Sequence, residues 1–420
     1  MILKFYKYLS NSLFPLIFFY FVLRFFFSKE NKNSLLEKFS FSKSKRPNGR
    51  VVWINGVSIG EAKSGITIAE EILKNNPNTT ILFTTSTLTA FKVISDLKKD
   101  FIITFPPVDV NFIVKRFIRF WKPDLTIFIE SEIWPNIIAE LKKNNINFSI
   151  LNGRISKKSY FFWKKTSFFS KEIFTKINLC FVQNQESKNY FESLGVPNVK
   201  LIPNLKFINN SLKINTNEYL SLKKVLSKKL VITLFSSHED EELVLINCYK
   251  NLKKKFSNLF FIIIPRHVHK KEQIILNLKN HNINFAIRSK DKNDIRKKTF
   301  YVADTYGELN LFFKLSHAAV VGGSFKKIGG HNPIEISNYD CVLFFGPEMF
   351  NFSQIREIIL KKKAGFEVNN HEDLTRKIIL TLNNKKLKKQ TINNFKNLCK
   401  EEAFKVKKVL KNFQFKAKDV

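Results

Sequence analysis

Acidic side chains are in short supply in this 420-residue chain: 35 Asp and Glu stand against 71 Lys and Arg, a formal charge of +36. Such an excess points to an anionic partner, either nucleic acid or the anionic face of a bilayer. Heavy use of Lys, Asn, Ile and Phe along the whole chain accounts for part of it. Cysteine is scarce as well. Cys180, Cys248, Cys341 and Cys399 are scattered and form no CxxC, which argues against structural zinc and for a reducing compartment. The seven histidines are dispersed; His267 and His269 make an HxH pair with no third ligand close in sequence, so no metal site is expected. Neither GxxxxGK[ST] nor GxGxxG occurs, which excludes a P-loop ATPase and a standard dinucleotide fingerprint. No short-period repeat is present.

Apolar residues make up 44% of the chain, enough for sizeable cores, and the length suits roughly two or three domains. Lys4 and Lys7 precede the run LFPLIFFYFVLRFFF (13–27), broken only by Arg24 and followed by no small-residue cleavage site. Residues 1–30 therefore read as a retained membrane anchor, either spanning or lying in the interface, with the rest of the chain on the cytoplasmic side. Residues 31–50 read as a basic linker. Apolar runs then alternate with helical segments. VVWIN (51–55), ILFTTST (81–87), FIITFPP, LTIFIE (125–130), FSILNGRIS and LCFVQNQ (179–185) form one series. VITLFSS (231–237), FFIIIPR (260–266), NFAIRS, TFYVAD, HAAVVGG and CVLFFGP (341–347) form a second. The pattern predicts two consecutive α/β domains with parallel sheets, 51–207 and 208–420, with ligands at the carboxyl ends of strands.

Unusual residues gather at those ends. The loop GGSFKKIGGHNPIE (322–335) follows the strand AAVV, and its Gly322, Gly323, Ser324, Gly329 and Gly330 would let backbone N–H groups approach an anion. IEISN is expected to open a helix whose N-terminus adds positive potential, with Glu335 placed for a ribose. A simple chain reversal is the alternative. Glu61, on a glycine turn after VVWIN, could act as a general base or merely complement a helix N-terminus. Glu130 and Glu132 end a buried strand before Trp134 and Pro135, where acids need partners. Lys206 lies at the domain junction and could neutralise an acid or a transferring group. Arg266 ends another strand and suits a phosphate. The stretch 154–176, RISKKSYFFWKKTSFFSKEIFTK, interleaves basic and aromatic residues as a segment on an anionic interface does. An ordinary amphipathic core helix is its other reading, and single-stranded nucleic acid a third.

The strings VSIGE, ESEIWPN, NGRIS, QNQES, NLKF, SSHEDEE, PRHVHK, YGELN, GGSFKKIGGHNPIE and GPEMFNF occur in this order over about 300 residues. With them the chain closely resembles the 3-deoxy-D-manno-octulosonic acid (Kdo) transferases of lipopolysaccharide biosynthesis, glycosyltransferase family 30. The resemblance implies a GT-B fold, two Rossmann-like domains with an interdomain cleft, the first for the acceptor and the second for CMP-Kdo. It implies an inverting, metal-independent transferase, without cofactor, that moves Kdo from CMP-Kdo to the lipid A precursor at the inner membrane of a Gram-negative bacterium. The family's general base falls on Glu61, and its transition-state stabilisers on Glu130 and Lys206. Its CMP contacts fall on Pro265, Arg266, Tyr306, Gly307, Glu308, Asn332, Pro333, Ile334 and Glu335. Departures are Asn55-Gly56 before VSIGE, Gly153 in NGRIS and the basic Phe325-Lys326-Lys327. A rival within the class is another membrane-associated GT-B transferase with a different sugar nucleotide and lipid acceptor. A basic nucleic-acid-binding protein would leave the ordered strings without a purpose.

Overall fold

A computed structural model describes residues 2–411 apart from 43, 99, 131, 209–213 and 293. The chain divides into two compact units, one of residues 1–208 with 403–420 and one of residues 209–402.

Each unit is built on a seven-stranded, all-parallel sheet. The first contains β1 (Arg50–Asn55), β2 (Thr79–Thr84), β3 (Ile102–Thr104), β4 (Leu125–Ile129), β5 (Asn147–Gly153), β6 (Leu179–Val182) and β7 (Val199–Leu201), ordered 3-2-1-4-5-6-7. The second contains β8 (Leu230–Ser237), β9 (Leu259–Pro265), β10 (Phe285–Ile287), β11 (Phe300–Val302), β12 (Ala318–Val321), β13 (Val342–Phe345) and β14 (Phe366–Glu367), ordered 10-11-9-8-12-13-14. Strands such as Val51–Asn55 and Leu125–Ile129 are buried along their length because helices cover both faces, which is why they read as unbroken apolar runs. The strand order reverses between β1 and β4 in one sheet and between β8 and β12 in the other. A crevice outside the carboxyl ends of the strands is expected at each of these two points.

Local packing fixes the first of them. Ser58 caps the helix Ile59–Asn75, and Gly65 lets that helix settle on the sheet: a Cβ there would stand 2.7 Å from the Phe83 ring. Trp53 donates to Thr84 and Thr84 to Asn55, each at 2.8 Å, so the polar ends of β1 and β2 are satisfied inside the core.

Two boundaries differ from the sequence reading. The segment 31–50 contains a helix, Lys32–Lys38, begun by a capping box at Asn31 and Ser34 and docked by Glu37, which accepts from Thr104 at 2.8 Å. The helix Lys385–Lys411 ends within the first unit's core, because Val406 and Leu410 bury there with Ile54 and Ile127.

At the N-terminus, no single helix among the described residues is long and apolar enough to cross a membrane; Ile2–Ser12 and Phe14–Phe26 pass that test only together, with a 51° bend between them. Asp109 ties the first of these helices down. Its carboxylate accepts from the Tyr6 hydroxyl (3.0 Å) and from the N–H groups of Asn136 (3.1 Å) and Ile137 (3.0 Å) at the start of the helix Pro135–Lys143. Removal from water pushes its pKa up to about 6. Replacing Asp109 by Ala would leave a hydroxyl and two helix-terminal amides without their acceptor. The expected loss is about 2–4 kcal/mol, read as a lowered denaturant midpoint against wild type.

Candidate functional site

Three carboxylates meet where the order of the first sheet reverses. Glu61 is the third residue of its helix. One carboxylate oxygen accepts the Val57 N–H and the other the Ser58 hydroxyl, both at 2.9 Å, while the Glu61 N–H donates to Ser58 Oγ at 3.3 Å. The side chain is thereby oriented on a helix N-terminus and stays half-buried. Glu130 follows β4 with a left-handed backbone (φ 66°), an uncommon conformation for this residue that turns the chain sharply at the strand end. Burial first, and the Glu61 carboxylate second, push its pKa above the ordinary value, while Lys206, Arg154 and a 3.5 Å bond from Asn152 act the other way. Glu132 is raised by burial as well; its bond from Trp134 Nε1 (2.7 Å) opposes this, and the Glu61 and Glu130 charges add to it. Lys206 lies in the short turn Leu205–Phe207, positioned by Asn204, which accepts its N–H at 3.0 Å. The structure thus gathers Glu61, Glu130 and Lys206 in one electrostatic neighbourhood and adds Glu132. The Glu61 charge thus adds to burial in making Glu130 and Glu132 hold their protons more readily, and Lys206 offsets part of that effect on Glu130.

In the second unit the expected residues follow neighbouring strands: Pro265 and Arg266 at the end of β9, Tyr306, Gly307 and Glu308 after β11, and Gly322, Gly323 and Ser324 after β12. The glycine loop is not an open anion cradle. Glu241, 1% exposed, accepts from Gly323 N (2.6 Å), Phe325 N (3.2 Å) and His238 N (3.0 Å). Gly322 N donates to Phe235, Gly330 N to Gly323, and Ser324 Oγ links Val321 to Gly346. Of the amides expected to face a phosphate, those of Gly322, Gly323 and Gly330 are engaged inside the protein. Gly322 is required by close approach, since a Cβ would lie 2.3 Å from the Ser236 carbonyl oxygen. Gly329 and Gly330 pack against Asn351 and Met349, from the string GPEMFNF. The helix expected from Ile334 is a four-residue 3-10 turn, Pro333–Ile336, with Asn332 capping Ile334 at 3.2 Å, so no α-helix N-terminus stands there. Glu335 belongs to that turn and is half-buried.

Glu308 is held by Arg288 at 3.1 and 2.6 Å and by Thr305. Burial disfavours its charge, but these bonds prevail and keep its pKa below the ordinary value. Tyr306 is 79% exposed and Gly307 has open space around it, so this turn is accessible. Among the described residues no group of three or more His, Cys, Asp or Glu side chains is arranged to hold a metal ion.

Two residues inside quoted strings gained no role from the sequence. His238 and His331 face each other Nε2 to Nε2 at 2.8 Å with their rings nearly parallel. Their bond needs one N–H and one lone pair, so at least one of the two rings is neutral when it forms. Burial first, then the charges of Arg266, His238 and His267, pushes the His331 pKa down to about 4. The unfolded chain binds this proton near pH 6.5 and the folded one only near 4. The stabilisation is therefore present above pH 6.5 and lost as pH falls towards 4. Unfolding free energies from denaturant titrations at pH 7.5 and 5 should differ by about 2 kcal/mol from this group, and His331→Asn should flatten that part of the dependence.

Residues 33–209 match the family described as 3-deoxy-D-manno-octulosonic-acid transferase (kdotransferase). The 3-deoxy-D-manno-octulosonic acid transferase of Rickettsia bellii is 32% identical over 398 residues, 94% of this chain and 95% of the relative. That of Haemophilus influenzae is 28% identical over 372 residues, 87% of each. In fold, the chain is similar to a glycosyltransferase from Rickettsia africae (TM-score 0.57, 14% identity, 88% of this chain and 100% of that one). It is also similar to Anabaena Alr3699/HepE in complex with UDP (TM-score 0.55, 10% identity, 87% and 100%). With two Rossmann-like units of the GT-B class, the chain belongs to the 3-deoxy-D-manno-octulosonic acid transferase family.

Proposed function

We propose that this chain transfers Kdo from CMP-Kdo to a glucosamine hydroxyl of the lipid A precursor, with inversion at the anomeric carbon. The observation that carries the reading is the grouping of Glu61, Glu130 and Lys206 at the first sheet's reversal point, in a chain of this family. Glu61 removes the acceptor hydroxyl's proton. The oxygen then forms its bond to the anomeric carbon from one face as the bond to CMP breaks on the other, and the electron pair leaves with the CMP phosphate. Val57 N–H and Ser58 hold the Glu61 carboxylate in place without consuming all its lone pairs. Glu130 and Lys206 stabilise the charge that develops beside it.

The donor is assigned to the second unit, on Pro265, Arg266, the Tyr306–Glu308 turn and the Asn332–Glu335 turn. The structure changes one detail of that assignment. With the Gly323 and Phe325 amides on Glu241 and the imidazoles of His331 and His238 bonded to each other, the leaving phosphate is met by the Arg266 guanidinium. A single phosphate leaving group can be stabilised by such fixed donors, so transfer is expected to persist in the presence of a chelator.

The N-terminal helices suit attachment to an anionic inner-membrane surface on its cytoplasmic side. So does the stretch 154–176, where Phe161, Phe162 and Phe168 stand exposed among lysines.

Glu61→Gln should lower turnover by about a thousandfold, within the usual span for a lost general base, while CMP binding measured calorimetrically is unchanged. Near-normal turnover would remove Glu61 from this role. Mass spectrometry of lipid A precursor incubated with enzyme and CMP-Kdo should show increments of one or more Kdo units. Increments obtained only with a UDP-sugar would favour the rival lipid glycosyltransferase.

A further inference from the structure

The helix Phe14–Phe26 carries a single charged residue, Arg24, and yet none of its thirteen residues is buried. A helix apolar on all sides needs apolar cover. On the side facing the first sheet it has only partial cover, because a cavity of about 620 Å³ lies there. Leu9, Leu13, Ile17 and Phe21 line its helical wall, with Val108 and Ile137 opposite. Its volume lies within the roughly 300–1,000 Å³ usual for small-molecule sites.

One end of the cavity is polar and adjoins the carboxylate cluster. Asn55, Val57, Glu132 and Trp134 line it, and Val57 is the residue whose N–H holds the Glu61 carboxylate at 2.9 Å. Arg24 and Lys38 line it too. Both are bonded to the buried Glu30, at 3.0 and 2.5 Å, and with Glu132 on the same lining two cations stand against two acids. An occupant must therefore have a long apolar part for the helical wall and a polar head that stops beside Glu61.

We infer that this cavity takes one acyl chain of the acceptor glycolipid and so draws the acceptor's sugar to Glu61. The inference rests on the acceptor reading above and adds to it a place for the chain inside the protein, distinct from the bilayer. An alkyl chain here replaces contact with water by contact with Leu13, Ile17 and Phe21, at roughly a fourfold gain in affinity per methylene fully buried. The dependence should stop when the cavity is full.

The test is transfer from CMP-Kdo to acceptors of stepped acyl length, in mixed micelles at fixed surface fraction, with the full chain. For wild type, kcat/KM should climb by up to about fourfold per methylene and then level off. Ile17→Trp, which narrows the cavity, should bring the plateau to shorter chains and raise KM for long ones about tenfold or more. Ile17→Ala, which enlarges it, should move the plateau to longer chains. All three proteins should use a deacylated acceptor equally. Opposite shifts from the two substitutions support a bound chain, and Ile17→Ala supplies the comparison alone if the Trp variant does not fold. One identical length profile for all active proteins would overturn the inference and put the chain in the bilayer, with the acceptor reading intact. Absence of Kdo transfer to every acceptor, acylated or not, would sink the acceptor reading and this inference with it.

Discussion

Parallel strands end in backbone amides that have no further ladder to join, and here acidic side chains meet them. Glu61 accepts Val57 N–H after β1; Asp109 accepts two amides at the start of the helix Pro135–Lys143; Glu241 accepts three around β8 and β12; Asp304 accepts Ser289 N at 2.8 Å beyond β10. A buried amide without an acceptor is costly, and a carboxylate makes a stronger bond to it than a neutral oxygen does. The carboxyl edges of both sheets are therefore shaped by acids in a chain that otherwise has few of them. With 35 acids against 71 bases, the placement of the acids is the more informative distribution.

The same construction gives different chemistry according to what remains open. Glu241 is enclosed and fully bonded to the amides of Gly323, Phe325 and His238, so it organises the glycine loop and is shut off from solvent. Glu61 has two bonds, a half-exposed side chain, and Glu130 and Glu132 as neighbours. Both sites stand where their sheet's order reverses, yet one carboxylate can meet a substrate and the other cannot. The glycine loop changes in meaning accordingly. Its glycines permit close approach to Ser236, Met349 and Asn351, while the exposed groups at that edge are Arg266 and the Tyr306 turn.

Most of the sheet architecture was legible in the sequence because strands buried on both faces must be apolar throughout, and the twelve runs expected as strands all contain one. The two strands that escaped notice, β7 and β14, are edge strands of three and two residues. The pattern Val199-Lys200-Leu201 has no apolar run; pairing with β6, which is set by the tertiary fold, makes it a strand. The acids of the first site were visible through their strand-end positions, and Lys206 through the resemblance and its place at the domain junction. Glu241 was not, because nothing in SSHEDEE distinguishes the acid that turns inward from those that face solvent. A regular helix was expected after Pro333 from composition, but four residues held by an Asn332 cap close as a 3-10 turn instead.

The N-terminal segment shows what hydrophobicity alone leaves open about placement. Composition reads residues 1–30 as an anchor that either spans a bilayer or lies in its interface. The structure bends it at Leu13, fixes Ile2–Ser12 to the first unit through Tyr6 and Asp109, and ties Arg24 back through Glu30 to Lys38. Glu30 and Lys38 are both almost fully buried, and breaking such a pair would strand a charge at a cost of several kcal/mol. That cost holds the far end of Phe14–Phe26 beside the sheet, while the apolar middle of the helix is packed on one side only, with Phe14, Ile17 and Phe21 against Phe39, Val110 and Ile113 and a cavity beside them. Polar ties at both ends and an unfilled apolar centre are an arrangement that leaves room for a guest. Tight packing of the same helix would have stabilised the fold more and left no such space.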